Sequence, residues 1–373
     1  MWNLDLSTCL ARIRERDPEI GAFVHVRALT PTGAGAFDGV PFAAKDIFDT
    51  RDMPTEWGTP LQAGRRPDKD AGLIRRLRSS GAILLGKTHT TAFAYFDPAP
   101  TRNPRNLEYT PGGSSSGSAA AVAAGMVPFA LGSQTQGSVL RPASFCGVVG
   151  FKPSHGLLET SGVMPFAPSL DTIGFFTVDV PDMVRLWRAL GYDSAAERPR
   201  MLGALPLPPE VEPKMRAAFE AAIRKLGARV VEAPPAFPTL HLTVRTINDF
   251  EGARTHVRHR DALRGSKLGE LIERGMAITE AAYKEALERM EGARREMARL
   301  YEEYPVLLWP AALGPAPRGL ASTGDPRMNA PFTGLGVPAI SVPMSVAQGE
   351  LPLGLQMTAA RGKEALLLAA ALS

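Results

Sequence analysis

Two stretches of the chain set hydroxyl groups on glycine-flanked turns. Residues 111–125 read PGGSSSGSAAAVAAG, and residues 133–144 read SQTQGSVLRPAS, with Ser138 following a glycine. A serine hydroxyl attacks a carbonyl only when a base takes its proton, and no histidine lies in or between the two stretches. A lysine held away from water can serve instead, because desolvation disfavours the ammonium form and lowers its pKa. Lys45, at the end of the apolar run GVPFAAKD, is placed to be such a lysine. Its plainer reading is an exposed strand-end lysine paired with Asp46 or Asp49.

Two other motif matches carry less weight. GAILLGKT, residues 81–88, fits the phosphate-loop pattern, but its variable residues are apolar and a helix precedes them where a strand is required. It reads as a strand ending in Lys87 and Thr88. GSSSG, residues 113–117, fits a nucleophile elbow centred on Ser115. That elbow needs an apolar strand running into the serine, and the polar, proline-broken TRNPRNLEYTP stands there instead. Neither His155, His241, His256 nor His259 is singled out as a partner.

The elements that must position these groups follow from periodicity. Residues 3–17 predict a short amphipathic helix stopped by Pro18. FVHV and GVPFAAKD read as strands, residues 70–81 as a helix ending at Gly81, and AILLG as a buried parallel strand. Residues 118–125 suit a helix packed through its alanines, followed by the strand VPFALGS. This strand–helix alternation implies an α/β sheet. Residues 200–305 differ: a helix over PKMRAAFEAAIRKLG, the strand ARVVEA and a long charged helix from Thr279 to Tyr304. VLLWP, VPAISVPM and LPLGLQM then return to the first sheet.

Whole-chain properties narrow the function. The 373 residues include 36 glycines and 33 prolines, which predicts many loops, and the net charge of +4 forms no basic stripe of the kind nucleic acid demands. Two cysteines, Cys9 and Cys146, do not make a disulfide framework and suit a reducing compartment; Cys146 reads as a small buried residue. Without a secretory signal or an apolar run long enough to span a bilayer, the expected location is the cytoplasm.

The set GVPFAAKD, GKTHT, PGGSSSGSAAAVAAG, GSQTQGSVLRPAS, CGVVGFKPS and LDTIGFF, in this order and spacing, resembles the amidase signature family. DPEIGAFVHV looks like the family's N-terminal strand, and the segment from NAPFTGLGVPAISVPM to LPLGLQM like its C-terminal sheet. Only residues 200–305 fall outside the likeness, a region that looks shorter than in most members. The resemblance implies a single α/β domain over residues 1–373, with a central mixed sheet covered by helices on both faces. Its core would be residues 20–180 and 306–373, and residues 200–305 a helix-rich excursion.

The resemblance also implies a Ser–cis-Ser–Lys arrangement, with Ser138 as nucleophile, Ser114 as bridging serine after a cis Gly113–Ser114 peptide, and Lys45 as base. Backbone N–H groups of Thr135, Gln136, Gly137 and Ser138 would form the oxyanion hole, each well-placed donor contributing roughly 3–4 kcal/mol. No metal or organic cofactor is implied. Departures from the family pattern are Gln136 where many members have glycine, Gln134 where aspartate is common, and arginine three rather than two residues after the nucleophile. The last feature resembles the malonamidase branch, in which the arginine holds a substrate carboxylate. Arg141 would either do that or bond loop carbonyls, and Ser133 would assist from the same turn.

The implied activity is hydrolysis of the C–N bond of a small linear amide, one able to carry a carboxylate. The expected partners are that small-molecule substrate and a second copy of the chain, with no nucleic acid and no membrane. Two alternatives share the core: the glutamine-hydrolysing subunit of a tRNA-dependent transamidase, and a catalytically silent scaffold.

Overall fold

A computed structural model describes residues 4–372 of the chain. Among them, eleven strands form one mixed sheet: β1 (Phe23–Leu29), β2 (Pro41–Lys45), β3 (Ile83–Thr88), β4 (Phe129–Gln134), β5 (Val149–Lys152), β6 (Thr172–Thr177), β7 (Leu202–Ala204), β8 (Arg229–Val230), β9 (Val306–Pro310), β10 (Ala339–Pro343) and β11 (Gly354–Ala359). The order across the sheet is β1-β3-β2-β4-β6-β5-β10-β11-β9-β7-β8. β2 lies between β3 and β4 and is parallel to both, whereas β3 is antiparallel to β1. AILLG is thus a parallel strand on one side only.

Side chains alternate along these central strands and feed two apolar layers. Phe42, Ala44, Phe129, Leu131 and Phe175 join one cluster, while Ala43, Ala130 and Phe176 join another. Helices cover both layers. α1 (Leu6–Ile20), α3 (Ser116–Ala123) and α4 (Leu140–Cys146) pack on the second cluster; α2 (Gly72–Ser79) and α5 (Val180–Ala189) pack on the first.

α1 runs three residues beyond the expected stop. Pro18 sits inside its last turn, and the helix ends at Gly21, whose φ of 64° is a left-handed cap. A proline near the end forfeits one backbone bond without aborting the helix. Asn3, the first residue of the expected helix, lies outside the described residues.

Residues 200–305 supply β7 and the two-residue, exposed β8 to the sheet's far edge, together with α6 (Pro213–Leu226), α7 (Leu240–His256), α8 (Lys267–Ala277) and α9 (Glu280–Glu303). α7 and α8 have no counterpart among the elements expected from periodicity. α10 (Ala330–Leu335) and α11 (Glu364–Ala371) flank the last strands.

Candidate active site

Lys45 is the last residue of β2 and is fully buried. Its Nζ lies 2.7 Å from Ser114 Oγ and 2.8 Å from Ser133 Oγ. Burial pulls its pKa down to about 7, with the Asp171 carboxylate opposing that fall. Asp171 is itself pushed up to about 6 by burial, against the N–H groups of Phe166 and Ala167 and the Thr135 hydroxyl, which favour its ionised form. Thr135 Oγ1 donates to Asp171 Oδ1 at 2.7 Å. The lysine is therefore not the exposed, acid-paired residue of the plainer reading. Asp46 pairs instead with buried Lys87 (3.1 Å), and Asp49 with Arg65.

Ser114 is held by α3. The Gly113–Ser114 peptide is cis, as the resemblance implies, and Thr91 N donates to the Ser114 carbonyl. α3 can approach this closely because Gly117 has no Cβ, which would lie 2.1 Å from Ala22 O and 2.6 Å from His89 N. Arg12 and Arg16 of α1 donate to the carbonyls of Gly125 and Ala124 at its other end. The neighbouring hydroxyls are committed elsewhere. Ser115 Oγ bonds the backbone of Ser133, and Ser116 Oγ donates to Gly112 O. Ser115, wholly buried against β4, has no histidine partner among the described residues.

Ser138 sits in the turn between β4 and α4, half-buried. With Ser114, Thr135, Gln136, Gly137 and Arg141 it lines a cavity of about 20 Å³, closed in part by Tyr95 and Phe166. Among the described residues, no group bonds its hydroxyl, nor the backbone N–H groups of residues 135–138. Both are thus free for a substrate in the cavity; hydrogen bonds between catalytic groups often tighten only in the complex. Gln136, the residue in place of glycine, does not adopt a positive φ, so its side chain brings no strain. Gly137 is tightly enclosed: a Cβ there would lie 2.5 Å from Asn329 Oδ1 and 2.8 Å from Arg141 Nη1, so one of those buried side chains would have to move.

Arg141 is buried, and burial pulls its pKa down to about 10 against the charge of Asp325. Its Nε donates to Thr323 O (2.7 Å) and its Nη2 to Gly113 O (2.8 Å). Nη1 has no partner. Two of its nitrogens therefore bond loop carbonyls, as the second of the two readings of Arg141 expects.

The cavity shares Tyr95, Phe96, Gln136, Thr323 and Pro326 with a vestibule of about 550 Å³. Arg245, Lys267 and Arg274 line it together with Asp249 and Asp325. Neither Asp171 nor the vestibule charges were expected to take part. Asp171 was visible as the one acid in LDTIGFF; the vestibule residues, spread over α7, α8 and the loop before α10, carry no local signal. Among the described residues, no His, Cys, Asp or Glu cluster could hold a metal ion, and no helix is long and apolar enough to cross a membrane.

A buried lysine against a serine, beside a second serine and a row of free N–H groups, on this sheet, defines a hydrolase of amide C–N bonds. The chain belongs to the Amidase family, whose model matches residues 6–202 and 198–368. It is 32% identical to the A subunit of the Symbiobacterium thermophilum glutamyl-tRNA(Gln) amidotransferase, over 94% of this chain and 88% of that one. The corresponding chain from Thermus thermophilus is 33% identical over 98% and 91%. Among solved structures, an amidase superposes with a TM-score of 0.88 at 28% identity, covering 98% of this chain and 93% of the other. The A subunit of the Thermotoga maritima glutamyl-tRNA(Gln) amidotransferase gives 0.83 at 30%, covering 98% and 89%.

Two expectations are corrected. These relatives are amidotransferase subunits, so the arginine spacing does not assign the chain to the malonamidase branch. The partner expectation, a small molecule and a second copy with no nucleic acid, is overturned by the same relatives, which are subunits of an enzyme named for glutamyl-tRNA(Gln). Whole-chain charge is thus no guide to partners in this family, since one subunit need not carry the nucleic-acid surface of an assembly.

Proposed function

We propose that this chain is the glutamine-hydrolysing subunit of a tRNA-dependent amidotransferase, with Ser138 as nucleophile, Ser114 as proton relay and Lys45 as base. The observation that carries it is the fully buried Lys45 Nζ at 2.7 Å from Ser114 Oγ, at a cavity Ser114 shares with Ser138, in a chain similar to such subunits over nearly its whole length.

Uncharged Lys45 takes the Ser114 proton as Ser114 takes that of Ser138. Ser138 Oγ then attacks the side-chain carbonyl carbon of glutamine. The N–H groups of Thr135, Gln136, Gly137 and Ser138 hold the developing oxyanion. As the C–N bond breaks, Ser114 passes its proton to the leaving nitrogen, and ammonia departs. Water then cleaves the Ser138 ester, releasing glutamate and restoring the hydroxyl. Ser133, whose Oγ accepts from Lys45 Nζ at 2.8 Å, steadies the amine.

The two compartments suit this substrate. The narrow cavity accepts an unbranched amide, and the mixed charges of the vestibule suit an α-ammonium and an α-carboxylate together. The domain reading is part of the proposal. One domain spans residues 1–373; residues 20–180 and 306–373 carry the reacting groups, and the 200–305 excursion supplies one vestibule wall through α7 and α8.

The test is ammonia release from L-glutamine by the purified chain and by Ser138→Ala, beside malonamate, acetamide and propionamide. Turnover of glutamine that Ser138→Ala abolishes supports the amidotransferase role. Turnover of the small amides with glutamine ignored returns the chain to a free-standing amidase.

A further inference from the structure

Gln134 ends β4 one residue before the turn that bears Ser138, and it is fully buried. Its Oε1 accepts from Val139 N (2.9 Å) and Leu140 N (3.0 Å), the backbone that leads into α4. Its Nε2 donates to Thr333 Oγ1 on α10 at 2.9 Å. The Thr333 hydroxyl, with a lone pair engaged by that amide, turns its single proton to Gln136 O at 2.9 Å. Asn329 O, at 3.3 Å, is the more distant acceptor.

The consequence lies in one peptide plane. Gln136 O and Gly137 N–H belong to the same planar trans unit and point in opposite directions. Drawing the carbonyl toward α10 therefore turns the Gly137 N–H away from α10. Gly137 lines the cavity beside Ser138. We infer that Gln134 and Thr333 are positioning residues that aim the Gly137 N–H at the substrate oxyanion, through a hydroxyl that must accept from one neighbour and donate to the other.

This chain needs an amide at position 134 for that purpose. A carboxylate there could still accept from Val139 and Leu140. It has no N–H, however, and would take the Thr333 proton itself, releasing Gln136 O. Of the two glutamines that depart from the family pattern, only Gln134 belongs to this device: its amide orients the hydroxyl that anchors the backbone carbonyl of residue 136. The inference rests on Ser138 being the nucleophile.

The experiment follows labelling of Ser138 by a fluorophosphonate probe, as maximal rate and half-saturating concentration, with glutamine kcat and KM alongside and a thermal midpoint for each variant. Thr333→Val, near-isosteric, is expected to lower the maximal labelling rate and kcat about ten- to a hundredfold, with half-saturation and KM within about twofold, because an oxyanion donor acts in the transition state. Thr333→Ser, which keeps the hydroxyl, restores the rate to within about threefold. Gln134→Glu follows Thr333→Val and not the parent. A folded Thr333→Val that labels at the parent rate overturns the inference while leaving the proposed nucleophile intact. Absence of Ser138 labelling in the parent overturns both.

Discussion

Replacing Lys45 by methionine tests the reaction at its base. An ordinary lysine, with a pKa of 10.5, is uncharged in only about one molecule in 3,000 at pH 7; with the value drawn down to about 7, roughly half the molecules carry a free amine. The whole of that gain comes from burial, since Asp171, the one charge acting on Lys45, pushes the other way. The sign is therefore fixed. Below about pH 7 Lys45 is an ammonium and cannot accept the Ser114 proton; above it the relay is open. The rate of Ser138 labelling by the same probe, measured from pH 5.5 to 9.5, should climb about tenfold per pH unit on the acid side and level off above 7. Lys45→Met should lose about 10²- to 10⁴-fold at pH 8, the usual range for a general base, and should lose the acid limb with it. A parent rate still climbing at pH 9.5 would mean an ordinary lysine. A Lys45→Met variant within twofold of the parent would refute the role outright.

Asp171→Asn should move that acid limb to lower pH, because it removes the carboxylate that favours the Lys45 ammonium; a limb moving upward would contradict the assignment. Gly137→Ala should cost about 1–3 kcal/mol in urea unfolding and most of the activity, since the new methyl meets Asn329 Oδ1 and Arg141 Nη1 well inside contact distance. Lys87→Met leaves the Asp46 carboxylate, 1% exposed, without its cation and should cost about 3–5 kcal/mol, much of it recovered by Asp46→Asn in the same chain. A loss below 1 kcal/mol would show that Asp46 is protonated in the fold.

Much was readable along the chain. The strand FVHV, the alanine-rich helix behind Ser114, the long α9 and the return of VLLWP, VPAISVPM and LPLGLQM to the sheet are all local patterns of apolar period and end signals, and a sequence displays such patterns directly. The meeting of Lys45 and Ser114 was legible as well, because each sits in a short motif that carries the family resemblance. What was not legible depends on distance in sequence. Pro18 does not stop α1, because it falls in the last turn and Ile20 beyond it is buried in the apolar cluster that α3 shares. α7 and α8 form a vestibule wall that no motif announces. The substrate was not legible either: the residues that line the vestibule beside the cavity come from α7, α8 and the loop before α10, far apart in sequence.

The sequence alone nominated the proposed reacting groups: the motifs around Lys45, Ser114 and Ser138 carry the family resemblance that implies their roles. Whether that lysine is uncharged, which way the Gly137 N–H points and which nitrogen of Arg141 is left over were decided only in three dimensions. Each depends on excluded water or on a hydrogen-bond partner far along the chain, as Thr333 is from Gln134, and neither burial nor direction is a property of any one residue.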